Sequence, residues 1–165
     1  YQRFVPGLAI YSYVIGDERT GEAAVIDAAV NPEVYADLAE KRGWKISRVL
    51  DTHVHADHLS RSKMLADLTG AELLVPESAP VSYPHSPIAD GDTVEIGPSK
   101  LTAVRTPGHT AESTSYLLGG GTLFTGDTLF RGGPGATGRS FSDKPTLLAS
   151  IERELFGLAP ETVVR

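Results

Sequence analysis

The chain contains no cysteine at any of its 165 positions, so disulfides, thiolate metal sites and cysteine nucleophiles are all excluded. Any metal must therefore be held by His, Asp, Glu, backbone or water. No apolar stretch approaches the ~18 residues of a membrane span. No signal peptide is visible either, so a cytoplasmic location is expected. Basic runs are missing as well. Fifteen Lys and Arg stand against twenty-one Asp and Glu, a formal net charge of −6, which makes nucleic acid a poor partner. No G-x-S-x-G elbow occurs, which weakens a serine-hydrolase reading. Repeats, low-complexity tracts and linkers are also lacking. With 41% apolar and 22% charged residues the composition is that of a globular chain, and the length suits a single domain over residues 1–165.

Gly and Pro divide what is there into short units. Ile10–Ile15 and Ala23–Ile26 read as the strands of a hairpin. Asn31-Pro32 opens a helix, with Asn as N-cap and Pro in the first turn, and Gly43 stops it. Ile46–Leu50 is the next strand. A second helix spans about Leu59–Leu68, with Met64, Leu65 and Leu68 on its apolar side and Gly70 as its cap. Glu72–Val75, Thr93–Ile96, Leu101–Arg105, Thr114–Leu118 and Thr122–Thr125 are short β runs, and Ser86–Gly91 is loop. Lys144–Phe156 is a third helix, with Leu147, Leu148, Ile151 and Leu155 at helical spacing. Strands interspersed with helices predict an α/β or α+β fold with helices covering sheet faces. Tyr rather than Met stands first, and the chain stops inside the strand that begins at Thr162. Further residues are expected beyond both ends.

Histidine placement is the most informative feature. Of five histidines, His53, His55 and His58 fall within Asp51-Thr52-His53-Val54-His55-Ala56-Asp57-His58, directly after a Val-Leu strand. In extended chain, residues two apart share a face, so His53 and His55 point toward one object. Asp57 and His58 sit at the turn into the next helix and can face the same cavity. Three imidazoles packed together without a partner are costly, since burial and like charge both oppose their protonation. A metal removes that conflict, and the N/O donor set suits Zn, Fe or Mn. His109, in Thr106-Pro107-Gly108-His109-Thr110, and Asp127, after Phe124-Thr125-Gly126, lie at other strand ends, where α/β sheets collect functional groups. His85 has no such context and reads as a loop residue. Asp27 reads as a supporting or turn residue.

T-H-V-H-A-D-H, T-P-G-H-T and F-T-G-D, in this order, resemble the metallo-β-lactamase-fold superfamily, over essentially the whole chain from about Tyr11. The resemblance implies an αββα sandwich with a metal site at one edge of two sheets. It implies that His53, His55 and His109 bind a first metal, that Asp57 and His58 bind a second, and that Asp127 bridges them. The family's further His, after a final strand, has no counterpart before the chain stops. The fold is thus expected to lack its C-terminal strand and helix.

Two branches of that superfamily compete. Phe124–Gly133 and the helix Pro145–Leu155 resemble short glyoxalase II-like hydrolases. That implies one or two Zn ions, a metal-activated hydroxide, Asp57 as a catalytic carboxylate, and a small thioester substrate derived from glutathione. The N-terminal hairpin from Tyr11 to Gly16 and Thr106–Ser113 resemble persulfide dioxygenases, which implies one Fe(II) on His53, His109 and Asp127. Gly132–Arg139 departs from the pattern of that second branch. Arg131 and Arg139 could supply local positive charge to an anionic substrate. Gly133–Ser140 nearly spells a phosphate-binding loop, but no helix start follows it directly. A non-enzymatic metal-storage module is the remaining alternative. Ligands at strand ends, which leave an open face, favour catalysis.

Overall fold

The computed structural model describes residues 1–5 and 10–165. Six strands form the first sheet, in the order of the chain: β1 (Gln2–Val5), β2 (Ile10–Gly16), β3 (Glu22–Ile26), β4 (Lys45–Leu50), β5 (Glu72–Pro76) and β6 (Ser86–Ile88). The first three are antiparallel neighbours; β3 to β6 run parallel. The crossover from β3 to β4 carries helix α1 (Pro32–Arg42), and that from β4 to β5 carries α2 (Ser62–Thr69).

The second sheet contains β7 (Thr93–Ile96), β8 (Ser99–Arg105), β9 (Thr114–Leu118) and β10 (Thr122–Phe124) as an antiparallel meander. β13 (Val163–Val164) adds to β10 in parallel. A small hairpin, β11 (Leu129–Phe130) with β12 (Gly133–Pro134), lies between β10 and helix α3 (Lys144–Ser150).

Apolar burial defines the layers. Tyr13, Ile26, Leu50, Ile96, Leu101, Tyr116 and Phe124 fill the space between the sheets. Val25, Tyr35, Val49 and Leu65 seal α1 and α2 onto the outer face of the first sheet. Leu123, Leu147, Ile151 and Leu155 seal α3 onto the second. The result is the helix–sheet–sheet–helix sandwich that the family resemblance implies.

Several boundaries differ from expectation. Ser86–Ile88 is not loop: it pairs with β5 as the sheet's last strand. Pro87 has no N–H to give a ladder, so the run looks unlike a strand yet is tolerated at an edge. α2 starts at Ser62 rather than Leu59, because the Ser60 hydroxyl is engaged with the Asp51 carboxylate at 3.3 Å and with the Ser62 N–H at 3.1 Å. Its buried residues are Leu65 and Ala66, while Met64 and Leu68 are exposed. The third helix is α-helical to Ser150 and continues as a π-helical turn, Ile151–Leu155. Leu148 stands on its exposed side. Gly133–Ser140 runs from β12 into a loop, and α3 opens only at Lys144, capped by Asp143. Among the described residues, no helix is long and apolar enough to cross a membrane.

Candidate metal centre

β4 ends at Leu50 and delivers Asp51 to His58 as an irregular loop at the edge of the two sheets. The turn after β8 presents His109, and the turn after β10 presents Asp127 within a single 3-10 turn, Gly126–Thr128. The His53 ring centroid lies 4.2 Å from that of His55 and 4.9 Å from that of His109, and His55 lies 4.4 Å from His58. His109 Nε2 is 3.5 Å from Asp127 Oδ2, and His58 Nδ1 is 2.9 Å from Asp57 Oδ1. Folding thus brings His109 and Asp127 to the four candidates of the 53–58 loop and gathers all six into one contiguous cluster.

Within it the donor atoms of His53, His109 and Asp127 lie within 4.8 Å of one another, and so do those of His55, Asp57 and His58. The first set is two imidazoles and a carboxylate. The second shares His55 with a third group, Asp27 and Asp51. Both acids of that third group are engaged by the protein. Asp27 accepts from the Thr52 N–H at 2.7 Å and hydroxyl at 2.9 Å, and from His55 Nε2 at 3.3 Å. Asp51 accepts from the Ser62 hydroxyl at 2.5 Å. These two acids therefore support the loop. His85 lies apart, its Nδ1 2.9 Å from the Tyr83 carbonyl.

Protonation follows from burial and neighbours. Burial, together with the charges of His55 and His109, pushes His53 down to about 3, so it is a neutral donor at physiological pH. For His55, burial opposes protonation, but the hydrogen bond and charge of Asp27, joined by Asp51 and Asp127, outweigh it and raise the ring to about 9. Burial likewise works against an ionised Asp27, and the hydrogen bond and charge of His55 hold it below the ordinary carboxylate value. Asp51 is raised to about 6 by burial and by the Asp27 charge. Burial also raises Asp127. For Asp57, desolvation opposes the charge, but the His58 hydrogen bond, a bond from its own backbone N–H and the charges of His58 and His55 together outweigh it and hold the carboxyl below its ordinary value.

The site fits a divalent transition metal on the chemistry of its donors. His53 is neutral, and the buried Nε2 of His58 has no hydrogen-bond partner among the described residues, a costly state for a polar atom unless something occupies it. His109 Nδ1 faces the Ala136 carbonyl at 2.8 Å, an acceptor only, so that nitrogen carries the proton and Nε2 is left for a ligand bond. The two loops are locked together by the buried Glu112, whose Oε1 accepts from the Val54 N–H at 3.0 Å. Glu112 and the Ala136 carbonyl do not appear among the candidates found in the sequence. Glu112 is an acid beside a ligand loop, a weak signal, and a backbone carbonyl leaves none.

A cavity of about 640 Å³ opens beside the cluster. Its walls include Tyr11, Tyr13, Phe130 and Arg131, and it reaches His55 and Asp127. Arg139 is not among its lining residues.

A four-layer sandwich with histidines and acids at the sheet edge defines a class of protein. The model of the metallo-beta-lactamase superfamily matches residues 5–165, and the chain belongs to that superfamily. Within it, the chain falls in the glyoxalase II-like and persulfide dioxygenase-like branch. It is 33% identical over 159 residues to a hydroxyacylglutathione hydrolase of Cereibacter sphaeroides, covering 93% of this chain and 60% of that protein. A Brucella ovis hydroxyacylglutathione hydrolase is 36% identical over 149 residues, covering 87% and 56%. Among solved structures, ETHE1 from Myxococcus xanthus superposes with a TM-score of 0.91 at 37% identity, covering 99% of this chain and 72% of that one. The chain spans about 60% of the length of the first of these curated relatives.

Proposed function

We propose that residues 1–165 act as one metal-dependent hydrolase domain that cleaves a small thioester, with a glutathione-derived substrate. The observation that carries this reading is the pair of adjacent donor sets, His53/His109/Asp127 and His55/Asp57/His58, which together suit one or two Zn ions. The likeness to hydroxyacylglutathione hydrolases supports the substrate class. When bound, such an ion lowers the pKa of a water and polarises a carbonyl oxygen.

The chain's own residues supply the remainder. Asp57 is exposed, its carboxyl is held below the usual range, and its Oδ1 is engaged by His58 Nδ1 at 2.9 Å. A base held that low is a poor store for a proton at neutral pH, so its task is to accept a hydrogen bond from the attacking water and orient it. Tyr11, Tyr13 and Phe130 bury the apolar part of the substrate, while Arg131 offers a charge partner to an anionic end. The reacting carbonyl then lies at the inner wall, where His55 and Asp127 line the cavity.

A second reading has its own support. His53, His109 and Asp127 form a 2-His-1-carboxylate set without His55, the arrangement suited to one Fe(II), and ETHE1 is the solved relative noted above. Under that reading the substrate is glutathione persulfide and the co-substrate is O2.

Elemental analysis of protein purified without added metal separates the two. About two Zn per chain with thioester hydrolysis supports the hydrolase. About one Fe with oxygen uptake on glutathione persulfide supports the dioxygenase. His53→Ala and Asp127→Ala are each expected to lose metal content and activity together. Full activity after chelator treatment contradicts both readings.

A further inference from the structure

Thr52 lies between a buried carboxylate and the first histidine of the cluster. Its Oγ1 is 2.9 Å from Asp27 Oδ2 and 2.9 Å from His53 Nδ1. The hydroxyl has one hydrogen to give, and an ionised carboxylate only accepts. That hydrogen therefore goes to Asp27. The remaining contact is satisfied only if His53 Nδ1 carries the ring proton and donates it to Thr52 Oγ1. His53 is left with a bare lone pair on Nε2, the one ring nitrogen then free to act with His109 and Asp127 as a donor.

The arrangement is held from several sides. Asp27 occupies a left-handed backbone conformation, φ 51°, unusual for a residue with a Cβ, and its N–H is fixed on the Leu50 carbonyl at 2.9 Å. Its other oxygen accepts from the Thr52 N–H at 2.7 Å, so both ends of Thr52 are tied to one carboxylate. Thr52 also packs against Gly126, where a Cβ at residue 126 would fall first on the Thr52 hydroxyl and then on its Cβ, so only glycine leaves the hydroxyl in place.

We propose that Thr52 is a positioning residue that fixes His53 as its Nδ1–H tautomer by relaying the Asp27 carboxylate through one hydroxyl. Ligating histidines usually donate their second N–H straight to a carboxylate, carbonyl or water, and such partners strengthen and orient the ligand bond. Here the partner is a threonine. The same carboxylate reaches His55 directly, so Asp27 serves two rings by two routes, and only one of them passes through Thr52. The tautomer follows from the hydrogen-bond geometry. Its consequence for metal affinity rests on the metal-site reading above.

Nitrogen-15 correlation of the imidazoles in the metal-free chain reads the tautomer directly. His53 is expected as Nδ1–H in the wild type and in Thr52→Ser, and as a mixture in the isosteric Thr52→Val, with His55 unchanged in all three. Zn2+ affinity by chelator competition should fall roughly 10- to 100-fold in Thr52→Val and stay near wild type in Thr52→Ser. Wild-type His53 found as Nε2–H, or Thr52→Val binding Zn2+ as tightly as wild type, overturns the relay. Wild type that shows the Nδ1–H ring but takes up no Zn2+, Fe2+ or Mn2+ overturns the metal-site reading instead and leaves the tautomer assignment standing.

Discussion

At the scale of single residues, the positions beside the candidate ligands carry as much constraint as the candidates themselves. Gly108 precedes His109 at φ 135°, and a Cβ there would fall on the backbone of Leu147. The glycine is what lets the His109 turn lie flat against α3. Gly108→Ala must push that helix away or move the histidine. It should cost more than about 1 kcal/mol of stability and loosen metal retention. Thermal unfolding and metal content of the purified variant check both effects; an unchanged melting temperature with full metal would contradict the close packing. His109 and Asp127 themselves were legible as candidates, because each follows a strand through a glycine. The role of Asp27 was visible only as an acid closing a strand. Nothing along the chain shows that it meets Thr52 and His55, more than twenty residues away, since those contacts exist only once β3 and β4 are paired.

At the scale of elements, α3 works as a brace for the His109 turn. The Asp143 N–H donates to the Gly108 carbonyl at 2.8 Å, and the Ser150 hydroxyl donates to the Pro107 carbonyl at 2.7 Å. The brace begins with a cap: Asp143 accepts from the Thr146 hydroxyl and from the Thr146 N–H. Those bonds hold the Asp143 carboxyl below its ordinary 3.8. The sign follows from linkage. A carboxyl lowered in the folded state contributes stability above its unfolded value, and loses it as pH falls through the folded one. Asp143→Asn should therefore melt below wild type at neutral pH, and the two midpoints should converge below about pH 4, where wild type also becomes neutral. A gap that persists at low pH would show that the charge is not what matters. The helix itself was legible from its spacing, but its π-helical second half was not. Leu147, Ile151 and Leu155 were legible at helical spacing and do fall on the buried face, whereas Leu148, read with them, stands exposed because the sheet beneath takes only one side of the helix.

At the scale of the whole molecule, the site depends on the two sheets holding their mutual position. Leu101 on β8 is fully buried between them. Leu101→Ala removes apolar contact and leaves a cavity the layers cannot fill, at a cost of about 2 to 5 kcal/mol. Chemical denaturation measures this directly. A change below about 1 kcal/mol would mean that the sheets relax freely.

Local chemistry along the chain was sufficient to mark most strands, the starts of α1 and α3, the glycine stops of α1 and α2, and the six metal-ligand candidates. These features are written in neighbouring residues: alternation, caps, turn glycines, and histidines crowded after a strand. The pairing of Ser86–Ile88 at a sheet edge, the capture of Val54 by Glu112 and of His109 by the Ala136 carbonyl, and the grouping of His55 with Asp57 and His58 were decided by tertiary structure alone. Each depends on which surfaces meet when the sheets stack, and backbone groups and buried acids carry no label of their eventual partners until burial leaves them only one.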